Sequence, residues 1–284
     1  MTTKRLLVVF HIYYHDQIDY FIEKLCNING IDWDLLITYA EHNEETFAKL
    51  RELKPDMQSI QVGNTGYDVW PFIQVIQKVD ISEYDYILKL HTKNVNVARQ
   101  KLNGLKLNGS RWRNILVDSI LKSPKRFSEC LELMNREQTG MICSYELYVG
   151  LSHRRKEDLS MLSEEAERIG VQIKKGKFCA GTMFMIKTQC LTKIAEAEFS
   201  PDMWTCEGSH SGGTLAHVYE RIFSIAVDDA GYETKRVAST SMKRSIAFGH
   251  KHISPILKSI INLDRYGEER RKALVLFGKR FFLD

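Results

Sequence analysis

Nowhere in the 284 residues does an apolar run of about 18 occur, so no transmembrane helix is expected. Proline is scarce, five in all, and no Gly/Ser-rich stretch appears, so a flexible interdomain linker is not expected either. The six cysteines (26, 130, 143, 179, 190 and 206) include no CxxC pair and no zinc-ligand spacing. Cys143 and Cys179 lie inside apolar runs, where a free thiol behaves as a small hydrophobe, and the pattern fits a reducing, cytoplasmic compartment. A glycine-rich phosphate loop is missing, which argues against P-loop phosphoryl chemistry. The start, MTTKRLLVVFHIYYHD, sets a basic pair before an apolar run, as a signal peptide does. The run is too short, however, and His11, His15 and Asp16 stand where small residues would mark a cleavage site. A buried first strand is expected instead.

What is present is the balance of a globular chain, 44% hydrophobic and 27% charged, which excludes disorder over the whole length. The net charge of +4 is unevenly placed. Residues 235–284 hold twelve Lys/Arg against four Asp/Glu, while the first 234 hold 28 basic and 32 acidic groups. The expected organisation is therefore a main domain over 1–234 and a basic C-terminal extension over 235–284. Within the extension, residues 251–284 interleave apolar and basic groups, which reads as an amphipathic helix. Such a helix could lie on an anionic membrane surface, or pack on the body or on a second copy. No nucleic-acid-binding motif accompanies it and the body is acidic, so nucleic acid is not an expected partner.

Along the body, RLLVVFHIY (5–13) reads as a buried parallel strand. In DQIDYFIEKLCNI (16–28), Ile18, Phe21, Ile22 and Leu25 share one helical face. Strands at 33–40, 59–63 and 84–90 alternate with helices at 43–53 and 72–79, giving β-α-β-α-β-α-β over the first ninety residues. That alternation predicts a parallel α/β sheet with ligands at the carboxyl ends of its strands. Further helices are expected at 110–122, 124–136 and 153–169, strands at 140–145 and 178–187, and a last helix from Thr214. Between them lies the long polar loop SPDMWTCEGSHSGG (200–213), of a length often associated with function.

Three loops after strands carry groups suited to a sugar or a polyanion. The first runs from His11 through Tyr13 to His15; in the second, Gly66 permits a tight backbone and the side chains of Asn64 and Asp68 can hydrogen-bond ribose or base. An ordinary turn with an Asx cap explains the second equally well. The third is Lys89-Leu90-His91-Thr92-Lys93, where alternation puts Lys89, His91 and Lys93 on one side. Two cations and an imidazole are costly to bury without an anion, although a solvated edge strand would avoid the cost.

On these residues the chain resembles the nucleotide-binding half of GT-A glycosyltransferases. More closely it resembles the rhamnan synthesis F family, through VVFHIYY, NTGYDVWPF, YDYILKLHTKN, CAGTMFMIK and GTLAHVYERIF, over about residues 5–235. The resemblance implies a GT-A-like, Rossmann-related, mostly parallel sheet flanked by helices, to which the basic extension is added. It implies a nucleotide-sugar-dependent hexosyl or deoxyhexosyl transferase that extends a bacterial surface polysaccharide: O-antigen, capsule or a rhamnose-rich glycan. The acceptor would be a glycan, in one version carried on a lipid diphosphate at the inner face of the cytoplasmic membrane.

The chain departs from the wider GT-A pattern at one place. Where most such enzymes carry an Asp-x-Asp cluster that holds a divalent metal, this sequence has His91-Thr92-Lys93. Lysine is a poor ligand for a hard cation but is itself a point charge for phosphate. A metal is therefore not expected, and Lys93, helped by His91 and Lys89, is expected to neutralise the leaving diphosphate. Glu220 is the first candidate for the base that takes the acceptor's proton, with Asp202 second and His217, on the same helical face as Glu220, third. Surface charge on an amphipathic helix is the plain alternative for Glu220. Gly181 and Thr182 resemble the family's strand beside the donor sugar, and Trp204, Glu207 and His210 are candidates to touch the acceptor. A catalytically silent glycan-binding or scaffold protein of the same assembly machinery is the rival function, favoured by the missing acidic pair.

Overall fold

The computed structural model describes residues 4–96, 100–102, 105–151, 156–204 and 213–239, and three strands within 261–282. The chain forms two compact units, residues 1–239 and 240–284.

The first unit opens with the expected alternation: β1 (Arg5–Ile12), α1 (Ile18–Leu25), β2 (Asp32–Tyr39), α2 (Glu44–Leu53), β3 (Gln58–Gln61), α3 (Val69–Lys78) and β4 (Tyr86–His91). A hairpin of β5 (Gln100–Leu102) and β6 (Leu105–Leu107) precedes α4 (Gly109–Leu121) and α5 (Pro124–Met134). Then come β7 (Thr139–Ser144), the pair β8 (Tyr148–Gly150) and β9 (Lys177–Cys179) with α6 (Lys156–Arg168) between them, and β10 (Phe184–Lys187). The short α7 (Thr192–Ala195), the long α8 (Leu215–Asp229) and β11 (Glu233–Val237) close the unit.

Seven strands make one sheet in the order β11-β7-β10-β4-β1-β2-β3. It is mostly parallel: β1 pairs parallel with β2 and β4, β2 with β3, and β11 with β7, while β10 alone runs antiparallel to both its neighbours. The centre of the sheet is apolar on both faces, as a parallel sheet covered by helices requires. Leu6 to Phe10 and Tyr86 to Leu90 are all buried. One of these is a lysine.

Local chemistry fixes the helix starts. The side chains of Asn43, Asn108 and Ser123 accept from the third backbone N–H of α2, α4 and α5, and Pro124 takes the first turn, where its missing N–H costs nothing. At α3 the pattern breaks. Asp68 occupies the cap position but makes no side-chain cap bond, because its carboxylate points elsewhere.

Two expectations need correction. The main domain does not stop at 234: β11 carries on to Val237, zipped to β7 from Thr139 to Ser144, so Lys235 and Arg236 belong to the first unit. The extension, read as an amphipathic helix, is instead β-structure where it is described. β12 (Ile261–Tyr266), β13 (Arg271–Leu276) and β14 (Lys279–Phe282) form an antiparallel three-stranded sheet. The register pairs Leu276 with Lys279, with only Phe277 and Gly278 between them in sequence, a spacing suited to a hairpin rather than a helix.

Candidate functional site

β1 and β4 lie side by side in register, so His11 and His91 are neighbours at the carboxyl ends of the two central strands. Period two along β4 then sends Lys89 and His91 to the same face of the sheet. Two loops close over that face. One precedes α3 and holds Gly66, Tyr67 and Asp68, and the other follows β9 and holds Gly181 and Thr182.

Both loops turn through left-handed backbone, twice in succession. Gly66 and Tyr67 have φ of 66° and 53°, and Gly181 and Thr182 have φ of 96° and 48°. For Tyr and Thr this region is sparsely populated, and such residues persist only where the surroundings hold them. The glycines also have no room for a side chain. A Cβ on Gly66 would come within 2.5 Å of the Trp70 Cβ, and one on Gly181 within 2.7 Å of Leu116 and 2.8 Å of Trp112 Nε1.

The two strained turns meet on one carboxylate. The Asp68 Oδ2 accepts from Lys89 Nζ at 2.5 Å and from Thr182 Oγ1 at 2.5 Å, and the Lys89 ammonium also donates to Thr182 Oγ1 at 3.1 Å. Lys89 is 1% exposed and Asp68 17%. His91 Nε2 lies 2.9 Å from the Gly181 carbonyl oxygen and 3.7 Å from Asp68, and its Nδ1 lies 2.9 Å from the Thr92 carbonyl. The Gly181 N–H donates to Glu220 Oε1 at 2.7 Å, so α8 grips the same turn from the other side. His11 donates to or accepts from Thr38 Oγ1 at 3.0 Å.

Electrostatics follow from this packing. Burial raises the cost of the Asp68 charge, but His91 and Lys89 more than offset it and hold the carboxyl well below the usual carboxylate range. Burial lowers the pKa of Lys89 and of His91, against the pull of Asp68 on each. His11 is lowered to about 4, again chiefly by burial, and is neutral at pH 7.

Lys93, two residues past His91, differs from Lys89. It is half-buried, with Nζ 4.5 Å from the centre of the Trp112 ring, and burial lowers its pKa while the more distant Asp68 and Glu220 raise it. No salt bridge joins it to a carboxylate among the described residues. Its peptide is held from below by Gln17, whose Nε2 donates to the Lys93 carbonyl at 2.6 Å and whose Oε1 accepts from the Lys93 N–H at 3.3 Å.

The family model described as Rhamnan synthesis protein F matches residues 1–232 of this sequence. The chain belongs to the rhamnan synthesis protein F family. Two curated relatives, the uncharacterized protein WxcX from each of two strains of Xanthomonas campestris pv. campestris, are 22% identical over 239 residues. The match takes in 82% of this chain and 33% of theirs, so the chain spans about a third of the length of these curated relatives. Among solved structures, similarity extends to S. aureus TarS at TM-score 0.43 and 7% identity, covering 83% of this chain and 58% of that one. The Streptococcus pneumoniae glycosyltransferase GlyE gives a TM-score of 0.40 and 12% identity, over 90% of this chain and 50% of GlyE. Glucosyl-3-phosphoglycerate synthase from Mycobacterium tuberculosis gives 0.35 and 10%, over 93% and 85%.

In this family member the structure gathers His11, Gly66, Asp68, Lys89, His91, Lys93, Gly181, Thr182 and Glu220 around one point. Within that group Lys89, expected to help Lys93 against the diphosphate, gives its ammonium to Asp68 and Thr182 in the interior. Other expected residues stand apart. Trp204, expected to stack on an acceptor sugar, is 3% exposed and lies on Trp70 with ring centres 4.8 Å apart and planes 16° apart. Phe199 and Tyr219 complete that aromatic cluster, so the ring has no face left for a ligand. Asp202 is exposed on the short 3-10 turn Pro201–Met203 and makes no described contact with the Asp68 cluster. Tyr13 is 47% exposed and contributes its backbone N–H to Thr92 Oγ1, while Asn64 is exposed at the rim. His217 packs edge-on to Tyr67 and shares a 2.6 Å hydrogen bond with Thr214, the cap of α8. Glu207 and His210 lie outside the described residues. Gln17 and Trp112, which present Lys93, had no sequence signal beyond the helices that carry them.

A divalent cation held by oxygen needs several carboxylate or carbonyl donors. Among the described residues no group of three or more His, Cys, Asp or Glu is placed to hold one. At the end of β4 the Asp68 carboxylate already accepts from Lys89 and Thr182, an ammonium stands beside it, and the Glu220 carboxylate accepts from the Gly181 N–H. The described residues here do not fit a bound divalent metal.

Proposed function

We propose that this chain is a glycosyltransferase that uses a nucleotide-sugar donor to extend a bacterial surface polysaccharide, O-antigen, capsule or rhamnose-rich glycan, without a bound metal. Membership of the rhamnan synthesis protein F family supports the polysaccharide setting. The observation that carries the site assignment is Lys93: a half-buried cation, laid on Trp112 beyond the end of β4, with no carboxylate paired to it among the described residues. A cation prepared in this way is matched by the diphosphate of the donor.

In this reading the donor lies across the carboxyl ends of β1 and β4. The bond from the sugar's anomeric carbon to the diphosphate oxygen breaks, its electron pair leaves with that oxygen, and the Lys93 ammonium meets the growing charge. The acceptor hydroxyl bonds to the anomeric carbon and gives its proton to Glu220, whose carboxylate is fixed by the Gly181 N–H. Asp68, held ionised by Lys89, accepts from a donor hydroxyl. The sugar transferred is a hexose or deoxyhexose, and the acceptor glycan is carried on a lipid diphosphate. The transfer takes place in the cytoplasm, with the basic residues of 251–284 against the anionic inner face of the membrane. No described helix is long and apolar enough to cross a membrane.

A silent glycan-binding or scaffold protein is the second reading, favoured by the Glu220 carboxylate already being engaged by a backbone amide. Turnover separates the two. The chain is incubated with a panel of nucleotide sugars and a lipid-diphosphate-linked glycan in EDTA, and release of nucleoside diphosphate is followed. One donor turned over, with the rate lost in Glu220→Gln, is the expected result. Failure of every donor to bind or turn over would overturn the enzyme reading.

A further inference from the structure

Lys93 is not the only cation at this edge of the sheet without a salt-bridged carboxylate among the described residues. Arg113, in the first turns of α4, is half-buried, and its guanidinium lies over the Tyr20 ring at 3.8 Å from the ring centre. Its Nη1 donates to Gln17 Oε1 at 3.3 Å and its Nε to Asn114 Oδ1 at 3.1 Å, both neutral acceptors. The carboxylates of the two helices around it are committed elsewhere. Asp118 of α4 pairs with Lys24 at 3.2 Å, Glu23 of α1 with the same lysine at 3.6 Å, and Asp19 with Lys49 at 2.9 Å.

Gln17 joins the two cations. Its Oε1 accepts from the Lys93 N–H and from Arg113 Nη1, each at 3.3 Å, so the guanidinium sits against the peptide that presents Lys93. Gln17 is itself buried and bonds both the N–H and the C=O of Lys93. Each cation also rests on its own aromatic plate, Lys93 on Trp112 and Arg113 on Tyr20. Gln17 thus fixes the Arg113 guanidinium against the Lys93 backbone, and no described carboxylate forms a salt bridge with either cation. A ligand with at least two negative charges would pair with both.

We infer that Arg113 and Lys93 together form a diphosphate-binding corner, with Gln17 as the positioning residue that sets their spacing. This rests on the donor-site reading above and assigns a second cation to it. Lys93, a point charge, meets one phosphoryl group, and Arg113, with its planar fork of donors, meets the other. A nucleoside without phosphate gains nothing from either.

The test is direct binding, by calorimetry, of inorganic pyrophosphate, of nucleoside diphosphates and of the parent nucleosides to the full chain. Wild-type protein is expected to bind pyrophosphate, and Arg113→Gln to weaken pyrophosphate and the nucleoside diphosphate by roughly tenfold or more while leaving the nucleoside unchanged. Arg113→Lys is expected to recover part of the loss, and Gln17→Ala to weaken the diphosphate with no effect on the nucleoside. Unchanged pyrophosphate binding by a folded Arg113→Gln protein overturns the assignment of Arg113 while leaving Lys93→Ala to decide the donor site. Wild-type protein that binds neither pyrophosphate nor any nucleoside diphosphate overturns both.

Discussion

The Lys89 ammonium lies 2.5 Å from a carboxylate oxygen of Asp68, 21 residues earlier in the chain and at the cap position of a helix it does not cap. One ion pair therefore ties the central strand of the sheet to the loop before α3. Through Thr182, it ties both to the loop after β9. Breaking a buried pair by removing one partner costs about 3 kcal/mol or more, because the other charge is left behind. Lys89→Met is expected to lose that much in denaturant unfolding. Adding Asp68→Asn should return part of the loss, and a double-mutant cycle that shows no coupling would refute the clamp.

Acid should weaken the fold in two stages. His11 has a folded-state pKa of about 4 against an ordinary 6.5, so below pH 6.5 the unfolded chain binds the proton that the folded chain refuses. Its stabilising effect is present above pH 6.5 and is lost as pH falls towards 4, an amount of roughly 3 kcal/mol. His91 is lowered by burial and acts in the same direction. Asp68 is depressed as well, so its part is present above the ordinary carboxylate pKa and drains only at lower pH. Urea unfolding between pH 7.5 and 4 measures the first stage, and His11→Asn, which keeps a polar contact for Thr38 without the titration, should flatten it.

Trp204 serves the fold rather than the ligand. Its ring is stacked on Trp70 and enclosed by Phe199 and Tyr219. Trp204→Ala is expected to cost about 3–5 kcal/mol by unfolding, as for a large core deletion. At a temperature where the variant stays folded, its affinity for diphosphate should match wild type. A variant with wild-type stability and weakened acceptor binding would restore the role expected from sequence.

The basic 251–284 segment gives a prediction independent of catalysis. Each Lys or Arg near an anionic surface contributes on the order of 1 kcal/mol, within a screening length of about 8 Å at physiological salt. Full-length chain should co-sediment with vesicles containing anionic lipid and not with neutral ones, and should be released as salt rises. Equal binding to both kinds of vesicle would place the contact in apolar burial instead.

Much of the site was legible in the sequence, because period two along YDYILKLHTK fixes which side chains of β4 share a face, and that holds for Lys89 and His91. The β-α alternation likewise gave the parallel core. What could not be read was which cation would be consumed. The counter-ion of Lys89 arrives from a different loop, through three-dimensional closure, and Asp68 looks like a helix cap until its carboxylate is seen turned away. Trp204 misled for a related reason: a polar, glycine-rich neighbourhood suggested an open loop, but the ring itself is a core residue. In the extension, apolar and basic residues interleave at spacings that suit a helix as well as a strand, and only pairing between strands decides. Arg113 carried no signal, since an arginine on a half-exposed helix is ordinary until it is seen to lack a salt-bridged carboxylate among the described residues.

The central proposal is that Lys93 meets the donor diphosphate without a bound metal. Calorimetric titration of the chain with a nucleotide-sugar panel in excess EDTA, for wild type and Lys93→Ala, tests it most directly. The account predicts that one donor binds in EDTA and that Lys93→Ala weakens it by about tenfold or more with the fold intact. Binding that appears only when Mg²⁺ or Mn²⁺ is added, or that survives Lys93→Ala unchanged, would contradict it.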